Sequence, residues 1–124
     1  MRQSAEIRVI HLADAAATAA LGQALASLLL NGVGAATLLL QGELGAGKTC
    51  LVQGLALALG IDEPITSPTF ALAQHYGGLG ADGQPHALIH LDLYRLEQPA
   101  AAAELFAQEE EEALALGAVL AVEW

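Results

Sequence analysis

The chain has 124 residues, of which 55% are hydrophobic and 4% aromatic, and its formal net charge is −10. One domain of this length buries a core without disulfides or structural metal. Four basic residues are too few for broad electrostatic binding of nucleic acid, which needs clustered Lys and Arg. The longest apolar stretch, residues 24–30, is too short to span a bilayer, and no leader pattern is visible. The single cysteine, Cys50, cannot form an internal disulfide, which favours a reduced, cytoplasmic setting.

The first predicted elements are a strand and a helix. Residues 6–10 alternate polar and apolar side chains, which predicts a half-buried edge strand. Asp14 is suited to be an N-cap, and the residues from there to Asn31 are rich in alanine and leucine and contain no proline. This stretch predicts a helix, and Gly32 and Gly34 come after its end.

The next stretch fits the phosphate-binding P-loop pattern G-x-x-x-x-G-K-[S/T] at all of its fixed positions. Its residues are Gly42, Glu43, Leu44, Gly45, Ala46, Gly47, Lys48 and Thr49. The glycines allow backbone N–H groups to turn inward around a phosphate, and the helix that follows directs its positive end at the anion. We expect Lys48 to reach the β- and γ-phosphates and the Thr49 hydroxyl to ligate Mg²⁺.

The surroundings of this loop have the order of strand, loop and helix that the motif requires. The apolar run Thr37–Leu40 precedes it, and hydrophobic residues at helical spacing follow it as far as Gly60, which is expected to end the helix. Cys50 lies in the first turn of that helix, where packing is preferred over a reactive role. The predicted nucleotide-binding residues in this region are Glu43–Cys50.

The middle of the chain predicts a loop and a hairpin. Residues 62–69 carry two prolines and cannot form regular helix, so they predict a loop of the kind that can sense a ligand. Residues 70–76 and 86–93 are strand-like runs on either side of a glycine-rich connection. A hairpin is the simplest interpretation of that arrangement.

The last predicted elements are a helix and a strand. Pro99 is suited to the first turn of a helix over residues 100–116, which Gly117 closes. The acidic run 109–112 is expected to form a solvated face of that helix, with partner docking as the less favoured alternative. Residues 118–122 predict a short buried strand.

Two of the predicted strands end in a carboxylate. Asp92 follows the apolar strand that contains His90, and Glu123 follows the last strand. Ligands of open α/β sheets bind beyond the carboxyl ends of the parallel strands, so both carboxylates should face the phosphates if the strands are parallel neighbours. They are candidates for a second Mg²⁺ ligand and for a base that activates water. By the two-residue period of a strand His90 shares a face with Asp92, and it either orients that carboxylate or packs, with packing preferred.

Four segments, in this order, resemble the TsaE (YjeE) family of small bacterial P-loop ATPases. They are residues 42–49, Ser67-Pro68-Thr69-Phe70, His90-Leu91-Asp92-Leu93-Tyr94-Arg95 and Val122-Glu123-Trp124. Many families share a P-loop, but the ordered set with matching gaps is more specific and covers most of the chain. The resemblance implies an α/β, P-loop NTPase-like three-layer fold whose mostly parallel sheet has antiparallel edge strands.

The resemblance also implies roles for the site residues. Lys48 and Thr49 hold the phosphates and Mg²⁺, while Asp92 and Glu123 share ion ligation and water activation, with no assignment of which carboxylate does which. Trp124 helps to form the nucleotide site, although strand-end packing is an equally good interpretation. Two segments are implied to act as switches, through Ser67, Thr69, His90, Tyr94 and Arg95.

The function implied by the resemblance is Mg²⁺-dependent ATP hydrolysis within a tRNA-modifying system. Its partners are TsaB and TsaD, which place threonylcarbamoyl on the adenosine next to the anticodon, so contact with tRNA is indirect and neither DNA nor a membrane is involved. We interpret residues 1–124 as a single domain. Family members usually continue past the tryptophan with further strands. This sequence is therefore expected either to be a fragment or to lack the last sheet strands, which would leave a central strand at an edge.

Two other functions stay open. A small-molecule kinase shares the P-loop but usually needs an arginine-rich lid, and Arg95 is the only arginine after Arg8. A nucleotide-dependent binding module would change shape without meaningful turnover. GTP is disfavoured because the guanine-reading Asn-Lys-x-Asp pattern needs a lysine besides Lys48, and this sequence has no other.

Overall fold

Helices and strands alternate through most of the computed structural model, which describes residues 6–31, 36–43, 45–66, 73–93, 96 and 98–124. The elements are α1 (Ala15–Leu30), β1 (Ala36–Leu40), α2 (Lys48–Ala58), β2 (Ala73–Leu79), β3 (Pro85–Asp92), α3 (Pro99–Leu116) and β4 (Val119–Glu123). No helix in these described ranges is long and apolar enough to cross a membrane.

The described strands form one sheet in the order β1-β4-β3-β2. β4 pairs in parallel with both β1 and β3, and β2 pairs antiparallel with β3. The mostly parallel sheet and the hairpin are therefore confirmed. The edge strands of the described sheet are β1 and β2. β2 runs antiparallel to its neighbour β3, and β1 runs parallel to its neighbour β4. β2 extends to Leu79, further than predicted, because Gly77 and Gly78 still pair with β3.

Helices cover both faces of the sheet, which makes the three layers of the predicted fold. On one face, side chains of β3 and β4 pack with α1 and α2, through Leu88, Val119, Ala121, Ala26, Val52 and Leu55. On the other face the alternate residues of the same strands pack with α3, through Ile89, Leu91, Leu120, Val122, Phe106 and Ala113. The nearly continuous apolar runs of β3 and β4 follow from this two-sided burial.

The predicted helix ends are confirmed. Asp14 caps α1, since its Oδ1 accepts a hydrogen bond of 2.8 Å from the Ala17 N–H. Gly60 follows the end of α2, and Gly117 closes α3; both have positive φ, 78° and 64°. Short-range signals determined these boundaries, because capping depends on residues within one turn of the helix end.

One local prediction was wrong, and another holds for three of its four residues. Residues 6–10 form no strand, and Ile7 and Val9 are 89% and 94% exposed. Alternation indicates which face a strand would bury, but a strand also needs a hydrogen-bonding neighbour, and no described strand pairs with this segment. The acidic run on α3 is not wholly solvated either, because Glu109 is buried and its Oε2 lies 3.0 Å from the Nε2 of His75 on β2.

The contact between α1 and α2 depends on two helix positions that lack a side chain. A Cβ at Gly54 would lie 2.0 Å from the Ala19 carbonyl oxygen, and a Cβ at Gly22 would lie 2.1 Å from the Leu51 carbonyl oxygen. The backbones of α1 and α2 therefore lie so close together at Gly22 and Gly54 that a larger residue at either position would force the helices to shift.

We expect Gly54→Ala to lower the free energy of unfolding by about 1–3 kcal/mol, because the helices must separate to admit the methyl group. This loss should exceed the gain of about 1 kcal/mol from the higher helix propensity of alanine. Urea unfolding followed by circular dichroism measures the difference. Gly77→Ala is the control, since a Cβ there meets no atom within 4 Å. A Gly54→Ala protein as stable as the parent would contradict the close packing.

Candidate nucleotide-binding site

The P-loop connects the end of β1 to the start of α2. Gly45 and Gly47 have φ values of 83° and 100°, in the left-handed region that favours glycine. Ala46 donates its N–H to the Glu43 carbonyl at 3.0 Å, which tightens the turn before the helix begins at Lys48. Strand, loop and helix thus occur in the order that the motif predicts.

The Lys48 side chain joins this loop to the end of β4. Its Nζ donates a hydrogen bond of 2.7 Å to the Gly42 carbonyl and one of 3.2 Å to the Trp124 carbonyl. Trp124 in turn donates its N–H to the Leu40 carbonyl at 3.0 Å. The ammonium group therefore lies between the ends of β1 and β4. Ligands of open α/β sheets bind beyond these carboxyl ends of the strands.

The two candidate carboxylates lie side by side. In the parallel register Glu123 pairs with Leu40 on one side and with Asp92 on the other, so three neighbouring strands end at the same level. Asp92 and Glu123 are each only 5% exposed. The Thr49 hydroxyl lies 3.1 Å from both carboxylate oxygens of Glu123 and donates its one proton to this carboxylate. The strands that end in Asp92 and Glu123 are thus parallel neighbours, as the prediction required, and Glu123 contacts the P-loop helix.

Opposing effects act on the Glu123 carboxyl group. Burial raises its pKa, but hydrogen bonding and charge at His90, the Thr49 hydroxyl and the Lys48 ammonium together lower it below its ordinary value. The side chain is therefore an ionised carboxylate at neutral pH. Such a group can ligate a cation or accept a proton.

His90 is fully buried, as the preferred prediction of a packing role requires. Its Nε2 also hydrogen-bonds the Oε2 of Glu123, a contact that was not predicted. In parallel register His90 pairs with Ala121, so it lies diagonally beside Glu123 on the same face. The methyl group of Ala121 leaves room for the imidazole to reach across.

A sequence model of the family described as "Threonylcarbamoyl adenosine biosynthesis protein TsaE" matches residues 12–124. The chain belongs to the TsaE family.

Individual TsaE proteins are also similar to this chain. The tRNA threonylcarbamoyladenosine biosynthesis protein TsaE of a Nostoc species is 51% identical over 88 residues, which cover 71% of this chain and 49% of the relative. The protein of that name from Treponema pallidum is 50% identical over 80 residues, covering 64% of this chain and 52% of the relative. The chain spans about half the length of these curated relatives.

A solved structure shares the fold. The crystal structure of YdiB from Bacillus subtilis superimposes with a TM-score of 0.61 at 28% identity, covering 90% of this chain and 60% of YdiB. The predicted P-loop NTPase-like, mostly parallel α/β architecture of a TsaE protein is thus confirmed.

The oxygen atoms around Thr49 fit a Mg²⁺ ion. Neighbouring ligands of octahedral Mg²⁺ lie about 3 Å apart, given metal–oxygen distances of about 2.1 Å. The 3.1 Å separations between the Thr49 hydroxyl and the Glu123 oxygens match that spacing. Among the described residues, no three His, Cys, Asp or Glu side chains converge as a metal site.

The remaining predicted site residues lie apart from the carboxylates or outside the described ranges. The Trp124 side chain lies in an apolar groove of about 670 Å³ on the α3 side of the sheet, with Leu39, Leu93 and Phe106. Cys50 contacts the Ala15 carbonyl through its Sγ at 3.3 Å, as a packing role predicts. The predicted residues outside the described ranges are Leu44, Ser67, Thr69, Tyr94 and Arg95.

Three contacts within the site were not predicted, although the residues that make them were named as candidates or belong to the P-loop. The carbonyl groups of Gly42 and Trp124 accept from Lys48, and His90 holds Glu123. Backbone acceptors carry no signal in residue identity, so sequence patterns do not find them. The sequence did indicate that His90 has a polar partner, because it is a polar residue within an otherwise apolar strand. The sequence did not indicate which residue that partner is.

Proposed function

We propose that this chain binds ATP with Mg²⁺ and hydrolyses the γ-phosphate in support of tRNA threonylcarbamoyladenosine biosynthesis. The observation that carries the proposal is the hydrogen bond between Thr49 of the P-loop helix and the ionised Glu123 carboxylate, beside the Lys48 ammonium. A cation, a hydroxyl and a carboxylate at the carboxyl ends of parallel strands are the groups that P-loop phosphoryl transfer requires.

Each group has a distinct task in this proposal. Lys48 neutralises the β- and γ-phosphates, and Thr49 together with one of the two carboxylates, Asp92 or Glu123, provides oxygen ligands for the ion. When bound, Mg²⁺ neutralises charge that develops on the transferred phosphoryl group. Whichever of Asp92 and Glu123 is not committed to the ion orients the attacking water and accepts its proton.

The loop backbone and two further segments of the sequence are proposed to complete the site. The P-loop, residues 43–50, would direct backbone N–H groups at the phosphates at the positive end of α2. Trp124 is proposed to contribute to this site through its main-chain oxygen, which accepts a hydrogen bond from Lys48, since its side chain lies on the α3 side of the sheet. The proposed switch residues are Ser67, Thr69, His90, Tyr94 and Arg95.

The proposed partners are TsaB and TsaD in the cytoplasm. The printed names of the relatives concern tRNA threonylcarbamoyladenosine biosynthesis. With a net charge of −10 and four basic residues, this chain is poorly suited to hold tRNA itself, which supports indirect contact through other subunits.

Phosphate release from ATP tests the function. We expect Mg²⁺-dependent release by the chain that rises when TsaB and TsaD are added and disappears with EDTA, because the phosphates must be neutralised by Lys48 and the ion together. A pull-down against TsaB and TsaD, with and without ATP, measures association separately. Nucleotide-dependent association without phosphate release would favour the binding module instead, and transfer of the phosphoryl group to an added small molecule would favour a kinase.

A further inference from the structure

The interior of β3 contains one polar ring among apolar side chains. His90 is completely buried, as are its strand neighbours Leu88, Ile89 and Leu91. Its Nε2 meets the Glu123 carboxylate, and its Nδ1 has no hydrogen-bond partner within the described residues. An apolar side chain would fill this place without leaving a buried nitrogen unpaired. Core packing therefore does not account for a histidine here.

The position of Glu123 explains what the imidazole can do. The terminal torsion of a glutamate side chain is broad, so packing alone leaves the carboxylate plane loosely defined. Here Thr49 approaches both oxygens from α2, while His90 approaches Oε2 from β3. Two fixed elements thus contact one carboxylate from different directions, which defines its rotation.

We propose that His90 is a positioning residue that orients the Glu123 carboxylate toward Thr49 by donating a hydrogen bond from Nε2 to Oε2. Because the ring is packed inside a central strand, it cannot follow the carboxylate if that group turns away. Outer hydrogen bonds of this kind commonly determine how a ligating carboxylate is presented. The kinetic part of the test rests on the proposed ATPase function, whereas the structural part does not.

Three substitutions separate a hydrogen-bonding role from a space-filling role. His90→Gln retains an amide N–H at the same number of bonds from the backbone as Nε2, His90→Asn retains one only at the level of Nδ1, and His90→Leu retains none. We expect crystal structures of the parent and of His90→Gln to keep Glu123 within hydrogen-bond distance of Thr49. In His90→Leu and His90→Asn that contact should be lost.

The same variants should also differ in the kinetics of ATP hydrolysis. We expect kcat for ATP hydrolysis to fall about ten- to a hundredfold in His90→Leu and His90→Asn, as for other residues that orient a ligand. KM for ATP should change less than about threefold, since the P-loop is intact. His90→Gln should recover most of the loss. His75→Leu is the matched control, because it removes another histidine–carboxylate pair, with Glu109, away from the P-loop.

The outcomes distinguish the two proposals. A Glu123–Thr49 contact that persists in His90→Leu, or a His90→Gln structure that loses it, overturns the positioning role whatever the rates are. If His90→Leu does not fold, the comparison of His90→Gln with His90→Asn decides whether a hydrogen bond at the position of Nε2 orients Glu123. Absence of phosphate release by the parent, with and without TsaB and TsaD, would reject the ATPase function, and the crystal structures would still decide the role of His90.

Discussion

Replacing Lys48 with alanine is expected to reduce ATP hydrolysis about a hundred- to a thousandfold, as loss of a charge-stabilising group at a reacting centre does. Lys48 is the only lysine in the sequence, and its Nζ is fixed by carbonyl groups of Gly42 and Trp124 at 2.7 Å and 3.2 Å. No other lysine can take over its contact with the phosphates. Phosphate release and nucleotide affinity, measured with the same protein samples, would show the loss.

The control for Lys48→Ala is Arg8→Ala, which removes one positive charge from an exposed segment whose ion pair with Glu6 lies on the surface. Circular dichroism must show that both variants are folded, because Lys48 also joins the loop to β4. Equal hydrolysis by Lys48→Ala and the parent would make the P-loop assignment wrong.

Neutralising Glu123 is the second change with a large expected effect. Glu123→Gln should reduce kcat about a hundredfold or more while KM for ATP changes much less, because the lost charge acts mainly on the transition state. The amide nitrogen would also place a donor against Thr49 or His90, which donate to the carboxylate in the parent. Asp92→Asn should slow hydrolysis in the same direction, since Asp92 is paired in register with Glu123.

Initial rates over a range of Mg²⁺ concentrations separate the two carboxylates. The variant whose rate recovers at high Mg²⁺ has lost an ion ligand, and the variant that stays slow at saturation has lost the group that acts on water. Glu109→Gln is the control, because it changes another buried, histidine-paired carboxylate on α3. Unchanged rates in both Asp92→Asn and Glu123→Gln would reject the catalytic assignment.

Features that depend on neighbouring residues were predictable. The P-loop requires glycines at particular spacings, the α1 cap requires Asp14 near the first free N–H groups, and α3 ends where Gly117 takes a positive φ. In each case the cause and the effect lie within a few residues. Prediction failed at residues 6–10, where the alternating pattern was present but no described strand lay alongside.

The sequence by itself determined that a phosphate-binding loop leads into α2 at Lys48, that two later strands end in Asp92 and Glu123, and that the ordered motifs resemble one family. Only the tertiary structure decided that Thr49 donates to Glu123, 74 residues away, and that His90 hydrogen-bonds the same carboxylate. The physical reason is that strand order and register bring distant residues together, and residue spacing along the chain encodes neither.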